Sequence, residues 1–219
     1  FSRFSTGVDI VNGTPVVTIN ESPLAGAGSL IKRAVDVVGS LFALVIFSPV
    51  LVIVGFIVAM SSRGPVLYRQ ERMGVDGKTF HMLKFRSMRV DAEQASGAVW
   101  AKPGDDRTTP VGKWLRRTSL DELPQFLNVL RGEMSLVGPR PERPVFVEQF
   151  RRQVPGYYLR HKTKAGITGW AQVNGWRGNT SIEKRIECDL YYIQHWSMAL
   201  DIKIIFLTVF KGFVNRNAY

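Results

Sequence analysis

The sequence predicts an α+β domain that is mostly helical and is held at a membrane by one long apolar helix. Three observations lead to this prediction. The run from Val37 to Met60 contains no Asp, Glu, Lys or Arg. Leucine and isoleucine residues recur at helical spacing in two later segments. Two short strand-like runs are separated by a glycine-marked turn, which predicts a hairpin between them.

Composition sets limits on what the protein can be. With 219 residues, of which 45% are hydrophobic, the chain is long enough to bury one core, and wholesale disorder is excluded. Lys and Arg number 29 against 18 Asp and Glu, which gives a formal net charge of +11. This surplus predicts an anionic partner, such as nucleic acid, a phosphorylated small molecule or an anionic membrane surface. Cys188 has no second cysteine with which to form a disulfide.

Residues 1–29 are predicted to be a linker or tail from a larger parent chain. They are rich in Gly, Ser, Thr, Asn and Pro, and the sequence begins at Phe1 without a methionine. The run from Pro15 to Ile19 is suited to pair as a strand within such a parent. Residues 30–219 are then expected to form the main domain.

Residues 34–62 are predicted to form the membrane helix. At ~1.5 Å per residue, the charge-free run would be about 36 Å long as a straight helix, enough for a hydrocarbon core of ~30 Å. A buried core helix is the alternative, although such helices seldom run this long without a charge. The segment is too long for a secretory signal and is followed by no small-residue cleavage motif.

The membrane helix is expected to enter the bilayer and return on the same side. Ser48-Pro49 lies at its middle, where the proline ring removes a donor and frees the carbonyl near Val45, which the Ser48 hydroxyl can reach. Basic residues stand on both flanks, with Lys32 on one side and Arg63 on the other. Basic flanks are favoured on the cytoplasmic side of the membrane. A spanning helix cannot place both flanks on that side, whereas a re-entrant, proline-kinked helix can.

The remaining elements are predicted from local patterns. Strands are expected at Val66–Tyr68 and Phe80–Phe85 around a turn at Gly74–Gly77, and residues 90–112 are expected to form a loop with a short helix. Two helical faces are marked by Leu120, Leu123, Leu127 and Leu130, and by Ile182, Ile186, Leu190 and Ile193. The apolar run Leu200–Val214, with interleaved lysines, suits an amphipathic helix at the membrane interface or a core helix.

Asp121 and Glu122 are the strongest chemical candidates, although a structural explanation competes. Ser119 followed by Glu122 is a capping box, and Asp121 would then only complement the helix dipole. The alternative is functional, with one carboxylate for a divalent metal and one for attack. The preceding Arg116 would help to hold phosphates opposite them.

Two basic motifs are candidate anion sites. Pro139-Arg140-Pro141 presents a guanidinium between two rigid residues, although a surface turn would have the same sequence. The run Lys84–Arg89 is a second candidate, or an edge strand with outward basic residues. The three histidines lack metal-site spacing, which argues against structural zinc. The sequence has no nucleophile elbow, Walker loop or dinucleotide fingerprint.

Taken together, the motifs resemble those of the bacterial sugar transferase family, the monotopic phosphoglycosyl transferases. The resemblance covers residues from about Leu30 to Tyr219. The matching segments are Ser48-Pro49, Lys84–Met88, Leu115–Gln125, Ser135–Pro141 and Gly166–Gly175, in this order. Lys164-Ala165-Gly166 departs from the Arg-Pro-Gly of many members. Together with Asn174–Gly178, it is more similar to the enzymes that transfer glucose 1-phosphate or galactose 1-phosphate.

The resemblance implies transfer of a sugar 1-phosphate from a UDP-sugar to undecaprenyl phosphate, with release of UMP. It implies that Asp121 is the nucleophile that forms a phosphosugar–aspartate intermediate, and that Glu122 holds Mg²⁺. Arg116 and Arg140 would bind the diphosphate or the lipid phosphate, and Ser48-Pro49 would make the re-entrant bend. The remaining residues assigned to substrate binding are Lys84, Arg86, Gly138, Pro139 and Pro141.

The same resemblance implies partners, location and pathway. UDP-sugar, undecaprenyl phosphate and the lipid bilayer are expected partners, nucleic acid is not, and a homodimer is left open. The catalytic domain would lie on the cytoplasmic face of a bacterial inner membrane and begin exopolysaccharide, capsule or O-antigen assembly. Three alternatives remain: a membrane-tethered nucleic-acid-binding module, a glycosyltransferase that releases UDP, and a hydrolase that needs no lipid acceptor.

Overall fold

The computed structural model describes residues 6–11, 14–19, 24, 26–92, 97, 105–178 and 180–212. These ranges are mostly helical, with short two-stranded sheets, as the sequence predicts. The helices are α1 (Ala27–Ser61), α2 (Pro110–Thr118), α3 (Gln125–Arg131), α4 (Pro144–Gln153), α5 (Trp170–Val173), α6 (Ile182–Gln194) and α7 (Met198–Gly212). The strands are β1 (Thr6–Val11), β2 (Thr14–Ile19), β3 (Leu67–Met73), β4 (Thr79–Phe85), β5 (Ser135–Val137) and β6 (Gly166–Thr168).

Helix α1 contains the predicted apolar segment and begins before it. Its 35 residues and its composition make it long and apolar enough to cross a membrane. Pro49 lies inside the helix, and the Ser48 hydroxyl donates to the Val45 carbonyl at 2.8 Å, which confirms that predicted contact. Large apolar side chains on α1 stay exposed, among them Phe42, Val52 and Phe56. This surface would be stabilised by lipid rather than by water.

The first part of α1 is attached to the rest of the domain by buried polar contacts. Lys32 Nζ forms an ion pair with Asp201 of α7 at 2.7 Å, and both side chains are buried. The Asp36 carboxylate accepts hydrogen bonds from the Ser135 hydroxyl at 3.0 Å and from the Leu136 amide at 2.9 Å. These charges lie on the face of α1 that packs on β5 and α7.

The last part of α1 packs on the same domain through apolar contacts. Val54 and Val58 form a buried cluster with Phe85 of β4 and Leu115 of α2. Both ends of the helix therefore contact the domain that carries β4, β5 and α7. Burial of this stripe is favourable by about 25 cal/mol for each Å² of apolar surface removed from water.

Strands β3 and β4 form the predicted antiparallel hairpin, with Leu67 paired with Phe85 and Met73 with Thr79. The turn occupies the predicted position, and Asp76 adopts a left-handed conformation there with φ of 51°. Asp adopts this conformation more readily than most residues, because its short polar side chain can form local hydrogen bonds in a tight turn. The hairpin carries Lys84 near its C-terminal end.

The two predicted helical faces have different outcomes. Helix α6 contains the whole isoleucine and leucine pattern that begins at Ile182, so this prediction is confirmed. The leucine pattern from Leu120 to Leu130 is divided instead between a 3₁₀ turn, Leu120–Glu122, and α3. Part of the loop predicted over residues 90–112 lies outside the described residues.

The parallel pair of β5 and β6 is not anticipated by the sequence patterns. Ser135 pairs with Gly166 and Val137 with Thr168. Gly138 approaches this segment so closely that a Cβ there would lie 2.4 Å from the Lys164 carbonyl oxygen. Glycine is therefore required by contact with the neighbouring backbone.

Helix α7 combines the two alternatives offered for the C-terminal run. Asp201 and Ile204 are buried against the domain, whereas Ile202, Phe206 and Phe210 are exposed. One face of α7 is thus a core face, and the opposite face is apolar and open.

Replacing Asp201 with alanine is expected to lower the free energy of unfolding by about 3–5 kcal/mol, because a buried Lys32 ammonium loses its partner. The substitution also removes the acceptor of the Tyr192 hydroxyl and the Trp196 indole N–H. Urea denaturation in detergent micelles measures the change. Lys162→Ala, which breaks an exposed pair with Asp76, should cost about 0–1 kcal/mol. Equal losses in the two variants would contradict the prediction.

Candidate active site

A cavity of about 370 Å³ opens between the β3–β4 hairpin, the turn after α2 and the loops that follow β5 and α5. Among the described residues, ten cationic and three acidic side chains line it. The cationic ones are Arg72, Lys84, Arg86, Arg89, Arg107, Arg116, Arg140, Arg143, Arg177 and Arg185, and the acidic ones are Asp121, Glu122 and Glu142. This volume suits a small molecule, and the surplus of positive charge selects an anionic one.

Asp121 and Glu122 reach the cavity from a tight turn after α2. Ser119 ends that helix in a left-handed conformation, with φ of 57° and ψ of 16°. Its side chain makes no capping hydrogen bond, so the capping-box interpretation is wrong. Both carboxylates are buried, with exposed fractions of 6% for Asp121 and 9% for Glu122. Burial of two adjacent carboxylates is costly unless cations or ligands accompany them.

Glu122 is held by cations from separate segments. Its Oε1 accepts from Lys84 Nζ at 2.9 Å and from Arg140 Nη2 at 2.6 Å, and Arg177 Nη2 lies 3.8 Å away. Burial alone would raise the pKa of Glu122. The charges of Arg140, Lys84 and Arg177 outweigh burial and hold this pKa well below its usual range. Glu122 is therefore ionised at neutral pH.

Asp121 lines the same cavity in a different electrostatic state. Burial raises its pKa to about 6, with a further contribution from the charge of Glu122, against the opposing charges of Lys84 and Arg116. Within the described parts of the chain, no group donates a hydrogen bond to its carboxylate. Asp121 is thus ionised at neutral pH, more basic than an ordinary aspartate and unoccupied by a donor. These are the properties of a nucleophile.

The backbone around Arg140 is fixed by its neighbours. The Pro139 carbonyl accepts from the Gly166 amide at 2.9 Å, and the Arg140 carbonyl accepts from Arg160 Nη2 at 2.8 Å. The Pro141 carbonyl accepts from Arg72 Nη1 at 3.0 Å. Three successive carbonyls are therefore hydrogen-bonded, so the Arg140 side chain starts from a rigid support.

The donor to the Arg140 carbonyl is itself fixed in a buried pair. Arg160 and Asp189 form an ion pair at 2.7 Å, and each side chain is 2% exposed. Arg160 Nη1 also donates to the Tyr157 hydroxyl at 3.0 Å. This buried network positions Arg140 without contacting the cavity.

Apart from Arg86, the residues predicted to act at the site divide into two groups. The structure brings Asp121, Glu122, Lys84, Arg116 and Arg140 together at one cavity. A different group, Gly138, Pro139 and Pro141, is not among the lining residues and supports the backbone beside it. The assignment of either group to substrate binding stays a prediction.

Arg86 also lines the cavity, but its guanidinium binds the C-terminal end of α1. It donates to the Pro65 carbonyl at 2.6 Å, the Ser62 carbonyl at 2.6 Å and the Val58 carbonyl at 3.2 Å. Carbonyls at a helix end lack intrahelical partners, and a cation is favourable there. A role for Arg86 in binding substrate stays a prediction.

Sequence reasoning missed Arg177 and Glu142 as site residues. Glu142 lies immediately after the Pro-Arg-Pro motif and accepts from Arg185 Nη1 at 2.7 Å. Arg177 lies between Gly175 and Gly178, and the sequence pattern links this glycine-flanked segment only to the choice of sugar. The flanking glycines are a signal that could have identified Arg177.

The residues present fit Mg²⁺ when it arrives with a phosphate ligand. Within the described ranges, no group of three or more His, Cys, Asp or Glu could hold a metal. Mg²⁺, however, is commonly bound through one or two carboxylates, with substrate phosphates completing its coordination. Glu122 is ionised, as a ligand must be. Lys84 and Arg140, which contact Glu122 in this structure, would first have to bind the phosphates instead.

Comparison with known proteins gives a consistent set of relatives. The family described as bacterial sugar transferase matches residues 27–215. UDP-glucose:undecaprenyl-phosphate glucose-1-phosphate transferase of Escherichia coli (strain K12) is 53% identical over 100% of this chain, and its namesake in Klebsiella pneumoniae is 52% identical over the same share. Each alignment covers 48% of the relative, so the chain spans about half the length of these proteins.

A third relative differs in its named sugar. The UDP-N-acetylgalactosamine-undecaprenyl-phosphate N-acetylgalactosaminephosphotransferase of Aeromonas hydrophila is 44% identical over 83% of this chain and 43% of its own length. Similarity across the chain therefore does not distinguish the sugar.

Neutralising the two carboxylates is expected to change stability in opposite directions at pH 7.5. An aspartate whose pKa is raised on folding destabilises the folded state once it ionises, so Asp121→Asn should increase stability by up to about 3 kcal/mol. Glu122→Gln should decrease it, because its depressed pKa reflects favourable ion pairs. Thermal unfolding at pH 7.5 and pH 4.5 measures both changes. The gain from Asp121→Asn should fall to about 1 kcal/mol at the lower pH, because the folded carboxyl is then protonated while the unfolded one is still partly ionised, and a loss at either pH would contradict the assignment.

Proposed function

This chain belongs to the bacterial sugar transferase family, and we propose that it transfers a sugar 1-phosphate from a UDP-sugar to undecaprenyl phosphate, with release of UMP. The observation that carries the proposal is the carboxylate of Asp121, which accepts no hydrogen bond from any described residue and lies in a buried, cation-lined cavity. An anionic donor is attracted to this cavity, and a basic carboxylate stands within it to attack.

The proposed reaction has two displacements at one phosphorus atom. An oxygen of Asp121 attacks the β-phosphorus of the UDP-sugar, and the bond from this phosphorus to the bridging oxygen breaks. UMP leaves with that oxygen, and the sugar phosphate remains bound to Asp121 as an acyl phosphate. A phosphate oxygen of undecaprenyl phosphate then attacks the same phosphorus. This second displacement restores the carboxylate and gives undecaprenyl-diphosphate-sugar.

Cationic side chains make the first displacement feasible. A carboxylate is repelled by a diphosphate, so attack requires neutralisation of the phosphate oxygens. Lys84 and Arg140 are held beside Asp121 by Glu122, and Arg116 lines the same cavity. When these cations bind the phosphates, they also stabilise the charge that UMP carries away.

Mg²⁺ is proposed as the cofactor, with Glu122 as its protein ligand. Bound there, it would supply Lewis-acid stabilisation of charge on the phosphate oxygens. With Glu122 as the metal's ligand, the neighbouring Asp121 carboxylate would stay free to react.

The membrane arrangement is proposed to be monotopic, with α1 re-entrant at Ser48-Pro49. Contacts at the two ends of α1 support this: Asp36 with β5, and Val58 with Phe85, attach both ends to one domain. A helix that crossed the bilayer would separate its ends by the membrane thickness. The exposed apolar face of α7 would then rest at the interface.

Further proposals concern location and context. The catalytic domain, residues 30–219, would lie on the cytoplasmic face of the bacterial inner membrane and perform the first membrane step of exopolysaccharide, capsule or O-antigen assembly. Residues 1–29 would link it to the rest of a longer chain. The sugar would be a hexose without an N-acetyl group, as Lys164-Ala165-Gly166 and Asn174–Gly178 indicate.

Purified protein in detergent is expected to release UMP from UDP-glucose repeatedly, in excess over enzyme, only when Mg²⁺ and undecaprenyl phosphate are present; without the lipid, at most one UMP per enzyme should appear. Asp121→Asn should abolish this release, because the amide is a poor nucleophile, whereas Asp76→Asn, an exposed change at the β3–β4 turn, should leave it intact. Without lipid, donor labelled at the β-phosphate should label wild-type protein, and hydroxylamine should remove the label.

Other products would overturn parts of this proposal. UDP in place of UMP would indicate ordinary glycosyl transfer, and lipid-independent release of many UMP per enzyme would indicate hydrolysis. UMP release without any protein label would exclude the aspartate intermediate. Equal turnover of an N-acetylated UDP-sugar would contradict the hexose assignment.

Cysteines placed at the two ends of α1 are expected to be labelled from the same side of the membrane. Ser29→Cys and Arg63→Cys, each in a Cys188→Ser background, are tested with a membrane-impermeant maleimide on spheroplasts and on inverted vesicles. Gln153→Cys, on exposed α4, reports the side of the catalytic domain. All three positions should react only in inverted vesicles. Labelling of Ser29→Cys and Arg63→Cys from opposite sides would exclude re-entry.

A further inference from the structure

Arg177 carries a positive charge that Glu122 does not fully neutralise. Lys84 and Arg140 lie within 2.9 Å of Glu122, whereas Arg177 lies 3.8 Å away, with 28% of its side chain exposed. The charge of Arg140 is the largest influence on Arg177, and it lowers the pKa of that guanidinium. Two guanidinium groups are thus held beside one carboxylate, which leaves room for a second anion.

The loop that carries Arg177 is built to hold it in place. Gly175 and Gly178 adopt positive φ angles of 86° and 72° on either side of it. The Trp176 amide donates to the Ala171 carbonyl at 2.9 Å, which attaches the start of the loop to α5. Such a short, anchored loop presents its side chain with little loss of conformational entropy on binding.

The end of the loop is connected to the backbone of Arg140. Arg185 Nη2 donates to the Gly178 carbonyl at 2.6 Å, and Arg185 Nη1 donates to Glu142 Oε1 at 2.7 Å. Glu142 is two residues after Arg140. The buried ion pair between Arg185 and Glu142 therefore supports the backbone near both Arg140 and Arg177. The fold thus holds the guanidinium groups of Arg140 and Arg177 near each other despite their repulsion, as expected where an anionic ligand offsets that repulsion.

We propose that Arg177 is a substrate-binding residue whose guanidinium binds the diphosphate of the nucleotide-sugar donor, together with Arg140. The proposal rests on the function proposed above and adds a contact to the same site. A guanidinium binds phosphate oxygens through two parallel N–H donors, which a point charge does not reproduce. The acceptor lipid also carries a phosphate, so the experiment distinguishes donor from acceptor.

The first arm measures UDP binding by isothermal titration calorimetry, with Mg²⁺ and without lipid. Arg177→Ala is expected to weaken binding about 10- to 100-fold, as for loss of a charge-assisted hydrogen bond. Arg177→Lys should recover part of the affinity. Arg151→Ala, an equal charge change at an exposed position of α4 outside the cavity, should bind UDP within about twofold of wild type.

The second arm tests whether Arg177 is merely structural and which substrate it binds. Arg177→Ala should unfold at or above the wild-type temperature, because its removal relieves repulsion with Arg140. In the transfer assay, Arg177→Lys should raise the KM for UDP-glucose and leave the KM for undecaprenyl phosphate unchanged. A rise confined to the lipid KM would overturn the assignment to the donor.

The outcomes separate this proposal from the proposed reaction. Wild-type UDP binding that is unchanged in both Arg177 variants would overturn the role of Arg177 alone. Arg177-dependent UDP binding without UMP release would overturn the reaction and leave the binding role supported. No UDP binding by the wild type would overturn both.

Discussion

The ionised carboxylate of Glu122 is the interaction on which the arrangement of the site depends. Lys84 comes from a strand, and Arg140 and Arg177 come from loops far away along the chain, yet all three face this one group. Two like charges at 4 Å repel by about 4 kcal/mol at an effective dielectric constant of 20. Without Glu122, the segments that carry these cations would separate. With it, the cations are already oriented before a ligand arrives, which lowers the reorganisation that binding requires.

Features that depend on residues close in sequence could be predicted. The spacing from Ile182 onward is sufficient for α6, and the strand-like runs on either side of the Gly74–Gly77 turn are sufficient for the β3–β4 hairpin. The contact of Ser48 with Val45 follows from helix geometry alone. By contrast, β5 and β6 have three residues each and pair across a long separation. Strands this short carry too little periodicity to be recognised, and their pairing is decided by the close approach of glycine backbones.

Site residues could be predicted where the residue type alone implies chemistry. They could not be predicted where the tertiary structure decides which groups meet. Asp121, Glu122 and Arg140 stand out because adjacent carboxylates and a guanidinium between prolines are unusual. The capping interpretation of Ser119 failed because this residue adopts a left-handed conformation that local propensity does not favour. Arg86 looked equivalent to Lys84 in sequence. The position of the α1 end relative to β4, which only the tertiary structure reveals, gives the two side chains different partners.

The contact of Arg86 with the end of α1 has a mechanical consequence. Lys84 and Arg86 are two positions apart near the end of β4, and alternate residues of a strand lie on the same face. Arg86 donates to the Ser62 carbonyl at the end of the apolar helix, and Lys84 donates to the Glu122 carboxylate beside Asp121, the proposed nucleophile. In the proposed membrane arrangement, a bilayer that tilts or shifts α1 would therefore displace the strand that orients these groups. Lipid thickness and lateral pressure would then affect the geometry of a centre placed outside the hydrocarbon.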